Sequence, residues 1–261
     1  MKLGRAEEKF ILLRIRTSTH LRIYKCMNID NGPKVRIRLK FARLAPAKDL
    51  SHLEQIKALR DMVAASGLRY FPVKCGRTQA PKMSFGPAIS VGYESTCEYA
   101  DLYLAEFAGD QEAAEKIKAV RSACYELVSA KRVPMFFPSI ESSVNAAEYL
   151  VEAAFPDGFS QKEVDVFLAR PEAPYEKVKP SGSRETIDVK PLTLCAQYAP
   201  AAAPAASDAT PAQTLKLVLK FEPKKNVKPE IVLNMIARAD IKRIVRKELY
   251  WLDSKGKLEV F

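Results

Sequence analysis

The sequence predicts an α+β fold in which two β-α-β-β-α-β units follow one another along the chain. Three observations support this prediction: an alternating strand near the start, a capped amphipathic helix after it, and a second half that repeats the order of elements. With 261 residues, of which 48% are hydrophobic and 28% charged, the chain can bury one large core or two small ones.

The first unit opens with a strand at residues 34–42. In this stretch, KVRIRLKFA, apolar residues alternate with Arg36, Arg38 and Lys40. A period of two residues is typical of a strand with one buried face, and here the other face is cationic.

A helix follows this strand. Ser51 to Glu54 fits a capping box, and Gly67 supplies a left-handed exit. Its spacing predicts a buried stripe consisting of Leu53, Ile56, Leu59, Met62 and Val63.

The rest of the first unit consists of two strands, a helix and an edge strand. We expect the strands at residues 69–75 and 98–107, the helix after a cap at Asp110, and the edge strand at residues 131–140. The two prolines in residues 131–140 exclude a central position in a sheet.

The second half repeats this order. We expect strands at residues 147–155 and 241–252, helices at 160–169 and 228–238, and a hairpin formed by 184–198 and 214–221. The order is that of two tandem ferredoxin-like units with antiparallel sheets.

These elements divide the chain into three parts. Residues 1–33 are predicted to be a basic N-terminal extension, either disordered or an over-called start, with residues 1–26 belonging to neither unit. The first unit takes residues 34–140 and the second residues 145–261. The Ala/Pro-rich stretch at residues 199–213 is predicted to be a disordered loop.

The charge is distributed unevenly along the chain. Lys and Arg outnumber Asp and Glu by 17 to 6 in residues 1–75 and by 12 to 6 in residues 214–261, whereas residues 76–213 hold 13 against 19. A net charge of +11 is consistent either with binding to a polyanion such as nucleic acid or with a solvated basic surface.

Several classes of protein are disfavoured by the sequence. The five cysteines are scattered with no CxxC or CxxxCxxC spacing, and there are two histidines. We therefore expect no metal site and no cofactor. We identify no signal peptide and no stretch that could span a membrane, and we predict a cytoplasmic protein.

One region resembles a known family. The residues that carry the resemblance are Leu50 to Leu53, Lys82 to Ala88, Gly92, Glu94-Ser95 and Glu98 to Asp101. They are similar to motifs of the radical-SAM-linked protein family, a bacterial family of unknown function. The similarity is specific over residues 40–104 and weaker around IDVKPL and the final VRKELYW. The chain departs from the family pattern at Ala80, where the family has a histidine.

The resemblance implies a partner. Members of that family are encoded beside a radical SAM protein or fused to one, and they carry no cluster themselves. Because this chain has no CxxxCxxC motif, its radical SAM enzyme would be a separate polypeptide.

The candidate site lies around the stretch PKMSFGPAIS, residues 81–90. We hypothesise that Met83 and Phe85 anchor it while Lys82 and Ser84 face a basic groove beside His52; the alternative is a loop that only plugs the core. The predicted nucleic-acid-binding residues are Arg36, Arg38, Lys40, Arg43, Lys48, Arg77, Lys82 and Ser84.

His52 is the one catalytic candidate. At a helix N-terminus its imidazole should stay neutral and could act as a base, or it could simply pack against the loop. Tandem ferredoxin-like units with a histidine in the first helix are also similar to the endoribonucleases that process CRISPR RNA.

These observations lead to three functional hypotheses. The first is a non-catalytic accessory protein of a radical SAM enzyme that binds or presents structured RNA. The second is a metal-independent endoribonuclease that uses His52. The third is a structural adaptor for an acidic protein.

Overall fold

The computed structural model describes residues 32–178, 181–200, 213–222 and 225–261. The elements of its first half are β1 (Val35–Arg43), α1 (His52–Ala65), β2 (Pro72–Cys75), β3 (Thr78–Pro81), β4 (Met83–Phe85), β5 (Glu94–Leu104), α2 (Asp110–Lys118) and β6 (Tyr125–Val133). Those of its second half are α3 (Ile140–Ser143), β7 (Ala146–Ala154), α4 (Gln161–Leu168), β8 (Pro174–Val178), β9 (Arg184–Asp188), β10 (Thr193–Ala199), β11 (Gln213–Lys220), α5 (Pro229–Ile236), β12 (Asp240–Leu252) and β13 (Leu258–Val260).

Nine strands form one mixed sheet. Seven of them follow the order β10-β11-β7-β12-β5-β1-β6, with β13 added to β12 and β4 added to β5. Two small hairpins, β2-β3 and β8-β9, stand apart from this sheet. The predicted α+β class agrees with this architecture, which consists mainly of antiparallel strands with a few helices.

The expectation of a separate antiparallel sheet for each half is wrong. The two halves join where β12 runs parallel to β5, with Val245 opposite Glu94 and Arg246 opposite Ser95. Joining the halves in this way removes two open sheet edges, which would otherwise leave backbone N–H and C=O groups unpaired.

The strand order within each half follows one scheme. Counting the first half's strands as β1, β4, β5 and β6, and the second half's as β7, β10, β11 and β12, each half is ordered second-third-first-fourth. All pairings inside a half are antiparallel.

The predicted start of α1 is confirmed. The Glu54 N–H donates to Ser51 Oγ at 3.4 Å, and the Ser51 N–H donates to the Glu54 carboxylate at 2.8 Å. Gly67 has a φ of +73°, so it supplies the predicted left-handed exit.

The buried stripe of α1 differs from the prediction at its first position. Leu59 and Met62 are buried, but Leu53 is 77% exposed, whereas Gln55 is 5% exposed. Gln55, Leu59 and Met62 have the i, i+4, i+7 spacing of one helix face, and Leu53 lies two residues from Gln55, on the other side of the helix.

Three predicted strands have different bounds. The strand expected at residues 69–75 is the hairpin strand β2, and the strands β3 and β4 that follow it were not predicted. The edge strand expected at residues 131–140 is β6, which ends at Val133 because Pro134 cannot donate to a ladder. The long strand expected at residues 184–198 is interrupted by a 3-10 turn at Lys190–Leu192.

One helix cap also differs from the prediction. Gly109 is the N-cap of α2, and Asp110 is its first residue. An acidic residue in the first turn still complements the helix dipole.

The core has two parts. One cluster of buried side chains lies entirely in residues 35–127, whereas the other centres on the second half. The second cluster also takes in Ile89, Tyr93, Cys97, Tyr99 and Ile140. The segment from the opening motif to β5 therefore contributes to both cores.

Two predictions concern residues outside the described part of the chain. These are the disordered or over-called extension, of which the structure describes only Gly32 and Pro33, and the loop at residues 199–213, of which it describes only the ends.

Candidate nucleic-acid interface

The cationic face of β1, which consists of Arg36, Arg38 and Lys40, is largely neutralised by carboxylates. Arg38 donates from Nε and Nη2 to both oxygens of the Asp101 carboxylate, at 2.7 and 3.0 Å. Lys40 Nζ donates to the Glu248 carboxylate at 2.6 Å. These bonds connect β1 to β5 and to β12, so they use the charges that were predicted to meet phosphate.

Two further predicted arginines are buried. Arg36 is 3% exposed and donates from Nη2 to the carbonyl oxygen of Pro134 at 2.8 Å. Arg43 is 1% exposed, and its guanidinium group donates to three carbonyl oxygens, those of Ala47, Lys48 and Leu50. A buried guanidinium that is engaged with backbone carbonyls cannot reach a phosphate without unfolding its surroundings.

Lys48 and His52 lie on the surface near the start of α1. The Lys48 side chain is exposed, and its backbone carbonyl accepts a hydrogen bond from the Gly92 N–H at 2.7 Å. His52 is exposed as well, and within the described ranges no hydrogen bond or ion pair joins it to Lys82 or Arg43. Of the cations expected beside His52, Arg43 is buried against backbone carbonyls and does not line an open groove.

The opening motif forms the short strand β4 and then a loop. Met83, Ser84 and Phe85 lie opposite Leu102, Asp101 and Ala100 of β5, respectively. Met83 is 8% exposed, as expected of an anchor, whereas Phe85 is only half-buried and has the Arg60 guanidinium 5.7 Å above its ring. Ser84 Oγ is buried and has no hydrogen-bond partner, so it does not face an open groove.

Gly86 and Gly92 have different roles in this loop. A Cβ added at Gly86 would lie 3.5 Å from Leu249 Cδ1 and 3.5 Å from the Tyr99 carbonyl oxygen, which is ordinary contact. Gly92 has a φ of +88°, a conformation that favours glycine.

Lys82 lies between two aromatic rings at the edge of the sheet. Its Nζ is 5.6 Å from the ring centre of Phe71 and 4.9 Å from that of Tyr103. Backbone hydrogen bonds hold the trio together: the Lys82 N–H donates to the Phe71 carbonyl at 2.8 Å, and the Tyr103 N–H donates to the Lys82 carbonyl at 3.1 Å. Cation–π contacts of this kind orient an ammonium group without neutralising it.

More cations extend this surface, which we call the hairpin edge and define as residues Arg69 to Phe85. Arg69, Lys74 and Arg77 are exposed on it, and Lys82 is half-buried. Throughout the part of the chain that the structure describes, none of these four side chains forms an ion pair. Of the predicted residues, Arg77 and Lys82 thus lie on the hairpin edge, Arg77 in the β2-β3 turn and Lys82 directly after β3.

One feature of the sequence indicates this surface, although our prediction relied on the alternating cations of β1 instead. Between Asp61 and Glu94 there is no Asp or Glu, although four cations and several aromatic residues fall in the interval. Cations in such a stretch have no carboxylate close by in the sequence with which to form an ion pair.

The Glu98 to Asp101 motif is structural. Glu98 is buried beneath α1, where it accepts from Gln55 Nε2 at 2.7 Å and from Arg246 Nη2 at 2.6 Å. Arg246 Nη1 also donates to the Pro87 carbonyl at 3.1 Å. This buried network connects α1, β5, β12 and the opening motif.

The other two matched residues of the motif form contacts of the same kind. The Tyr99 hydroxyl donates to Glu248 at 2.9 Å, and the buried Asp101 carboxylate accepts from the Ile140 N–H at 3.1 Å in addition to Arg38. The segments around Glu98 and around Arg246 are thus neighbours at the junction of the halves.

The electrostatics of this network favour a fixed charge state. Burial alone would raise the pKa of the Glu98 carboxyl, but the Arg246 charge and hydrogen bonds hold it below its ordinary value. Burial raises the pKa of the Cys97 thiol to about 12, so this thiol is not a nucleophile at neutral pH.

The opening motif also borders a cleft of about 970 Å³. One wall is formed by Pro87, Ala88 and Ser90, and the opposite wall by the start of α5. The Tyr93 hydroxyl donates to the Glu230 carboxylate across this space. The polar groups at that point are therefore satisfied by each other.

Two kinds of feature were sought among the residues that the structure describes, a metal centre and a membrane span. The described residues contain no group of three or more His, Cys, Asp or Glu side chains that could hold a metal ion. Among the same residues, no helix combines the length and the apolar character that crossing a membrane requires.

Comparison with known families finds one match that covers most of the chain. A family model described as "Uncharacterized protein conserved in bacteria (DUF2344)" matches residues 36–229, which is most of the chain. The chain belongs to this family. The matched residues include the whole hairpin edge and part of each core cluster. A search of curated protein sequences found no match to the chain.

Among solved structures, the chain is similar to a chain in the "Crystal Structure of a Cbf5-Nop10-Gar1 Complex". The two share 9% sequence identity with a TM-score of 0.40, over 80% of this chain and 48% of the other. The matched region spans about half the length of that chain. At this TM-score the likeness does not establish a common fold.

Proposed function

We propose that this protein is a non-catalytic accessory protein that binds RNA through the hairpin edge and serves a separately encoded radical SAM enzyme. The observation that carries the RNA part is the set of four cations on the hairpin edge that form no ion pair within the described residues, with Lys82 held between the half-buried rings of Phe71 and Tyr103. The enzyme partner is suggested by the resemblance to the radical-SAM-linked family.

The physical basis of RNA binding is phosphate neutralisation combined with stacking. Proteins that bind single-stranded segments of RNA combine cations that follow the backbone with aromatic rings on which bases stack. At the hairpin edge Phe71 and Tyr103 flank Lys82, and Arg77 projects from the tip of the β2-β3 turn. The loops of a structured RNA present both phosphates and unstacked bases.

The geometry supports binding more than cleavage. A general base needs an orienting partner and a group that neutralises the phosphate. Within the described ranges His52 has no hydrogen-bond partner, and Arg43 is turned toward backbone carbonyls. We therefore prefer the accessory role to the endoribonuclease hypothesis.

We also propose that each half is a ferredoxin-like unit. The second-third-first-fourth order of four antiparallel strands, with a helix after the first and third strand, supports this assignment. It carries no function by itself.

The test of RNA binding is a salt series. A fluorescently labelled RNA stem-loop is titrated with the parent, Arg77→Ala and Lys82→Ala at several salt concentrations. Each variant should weaken binding and lower the slope of log affinity against log salt by about one. Lys57→Ala is the control, because Lys57 is an exposed cation paired with Asp61 on α1.

The proposal fails if the three variants behave alike, or if the parent shows no salt-dependent binding. Thermal unfolding of each variant should remain at the parental midpoint, because none of the three side chains is buried.

A further inference from the structure

A cluster of large apolar side chains is exposed at one end of the first half. Phe136 is 84% exposed, Phe137 50% and Met135 44%. We call the three consecutive residues Met135, Phe136 and Phe137 the apolar tip. Isolated exposed apolar residues are common, but three consecutive ones of this size are a typical feature of binding surfaces.

The tip is held in place rather than left loose. The Pro134 carbonyl accepts from Arg36 Nη2 at 2.8 Å and from the Phe137 N–H at 3.1 Å. Beyond the tip, the Ile140 N–H donates to the buried Asp101 carboxylate at 3.1 Å, and Ile140 itself is fully buried. Both ends of the segment that carries the phenylalanines are therefore fixed by hydrogen bonds. A segment that is already ordered loses less conformational entropy when it binds a partner.

The surroundings of the tip are cationic. Lys131 and Arg132 are exposed near the end of β6, which leads directly into the tip, and the Arg132 guanidinium lies 5.0 Å from the centre of the Phe107 ring. Glu106, which precedes Phe107, offsets part of this charge. Phenylalanine, methionine and arginine are the residues enriched in the cores of protein interfaces.

The ring geometry favours a protein over RNA at this position. The Phe136 and Phe137 rings are 5.0 Å apart at 78° to each other, so they do not form a flat platform for successive bases. Rings arranged at this angle instead fit a pocket that surrounds them.

We propose that the apolar tip is a docking surface for a protein partner whose apolar pocket is rimmed by carboxylates. The identity of that partner rests on the proposed function: it is the separately encoded radical SAM enzyme. RNA on the hairpin edge and the enzyme on the tip would then bind at different places on the first half.

The test measures the affinity of the full chain for the radical SAM enzyme encoded by the same genome. We compare the parent with Phe136→Ser combined with Phe137→Ser, and with Arg132→Glu. Each should weaken binding about tenfold or more while leaving the affinity for the RNA stem-loop and the unfolding midpoint unchanged. Val166→Ser is the matched control, since Val166 is 56% exposed on α4, away from the tip.

The outcomes separate this inference from the proposed function. If the enzyme binds the parent and the tip variants equally well, the docking surface is refuted and the accessory role stands. If the enzyme does not bind the parent, both the partner and the docking surface are refuted, and RNA binding is judged by its own salt series. If the tip variants instead change self-association or binding to phosphatidylglycerol vesicles, the proposed occupant is wrong.

Discussion

The cationic face of β1 and the hairpin edge contain the same kinds of residue but use them differently. On β1, Arg38 and Lys40 are bound by Asp101 and Glu248, which lie 63 and 208 residues away in the sequence. On the hairpin edge, Lys82 contacts two aromatic rings and forms no ion pair with any residue that the structure describes.

Position in the sheet accounts for the difference. β1 has a strand on each side, so its outward cations meet side chains from β5 and from strands beyond it. The β2-β3 hairpin stands outside the sheet, and β4 pairs with β5 alone. A central strand is surrounded by groups that can compensate its charges, whereas an edge has solvent on one side.

The largest effect is expected for Asp101→Ala. This change leaves Arg38 and the buried Arg36 without their carboxylate, and an uncompensated buried charge costs about 3–5 kcal/mol of unfolding free energy. Urea denaturation measures this loss. Asp61→Ala, which removes an exposed carboxylate from the Lys57 pair, should stay within about 0.5 kcal/mol. Similar losses for both variants would mean that the β1 face is not held by Asp101.

The buried Glu98–Arg246 pair predicts a pH dependence. The folded pKa of Glu98 lies below its ordinary value of 4.5, so its contribution is fully present above that pH. The contribution is lost as the pH falls through the lowered folded pKa. Glu98→Gln should cost about 3 kcal/mol at neutral pH and flatten the acid limb of stability against pH. An acid limb as steep as the parent's would assign the dependence to other carboxylates.

A smaller effect is expected at the start of α1, which lies in the sequence between β1 and the hairpin edge. Ser51→Ala removes the side-chain acceptor for the Glu54 N–H and should cost about 1 kcal/mol. Ser51→Asp should retain most of the stability, because Asp also caps helices. Denaturant midpoints distinguish the two. Equal losses in both variants would indicate packing at Ser51 rather than capping.

The smallest effect is expected for His52→Ala. Because the imidazole is exposed and unbonded within the described ranges, stability should change by less than about 0.5 kcal/mol. The affinity for the RNA stem-loop should be unchanged too. If the parent cleaves RNA and His52→Ala does not, the endoribonuclease hypothesis replaces the accessory role.

The sequence by itself determined the local elements of this protein. The alternation of β1, the capping box at Ser51 and the exit at Gly67 each depend on neighbouring residues, and the structure contains all three. The sequence also indicated the α+β class, because each strand and helix is recognised from its own residues and the order of these elements is the same in both halves.

Only the tertiary structure decided which charges are available. Periodicity assigns Arg38 to the outer face of a strand, but nothing near it in the sequence shows that Asp101 lies opposite. Arg246 and Glu98 are 148 residues apart, and they meet because β12 runs parallel to β5 at the junction of the halves. Long-range pairing depends on the arrangement of all the strands, and a local pattern contains no information about it.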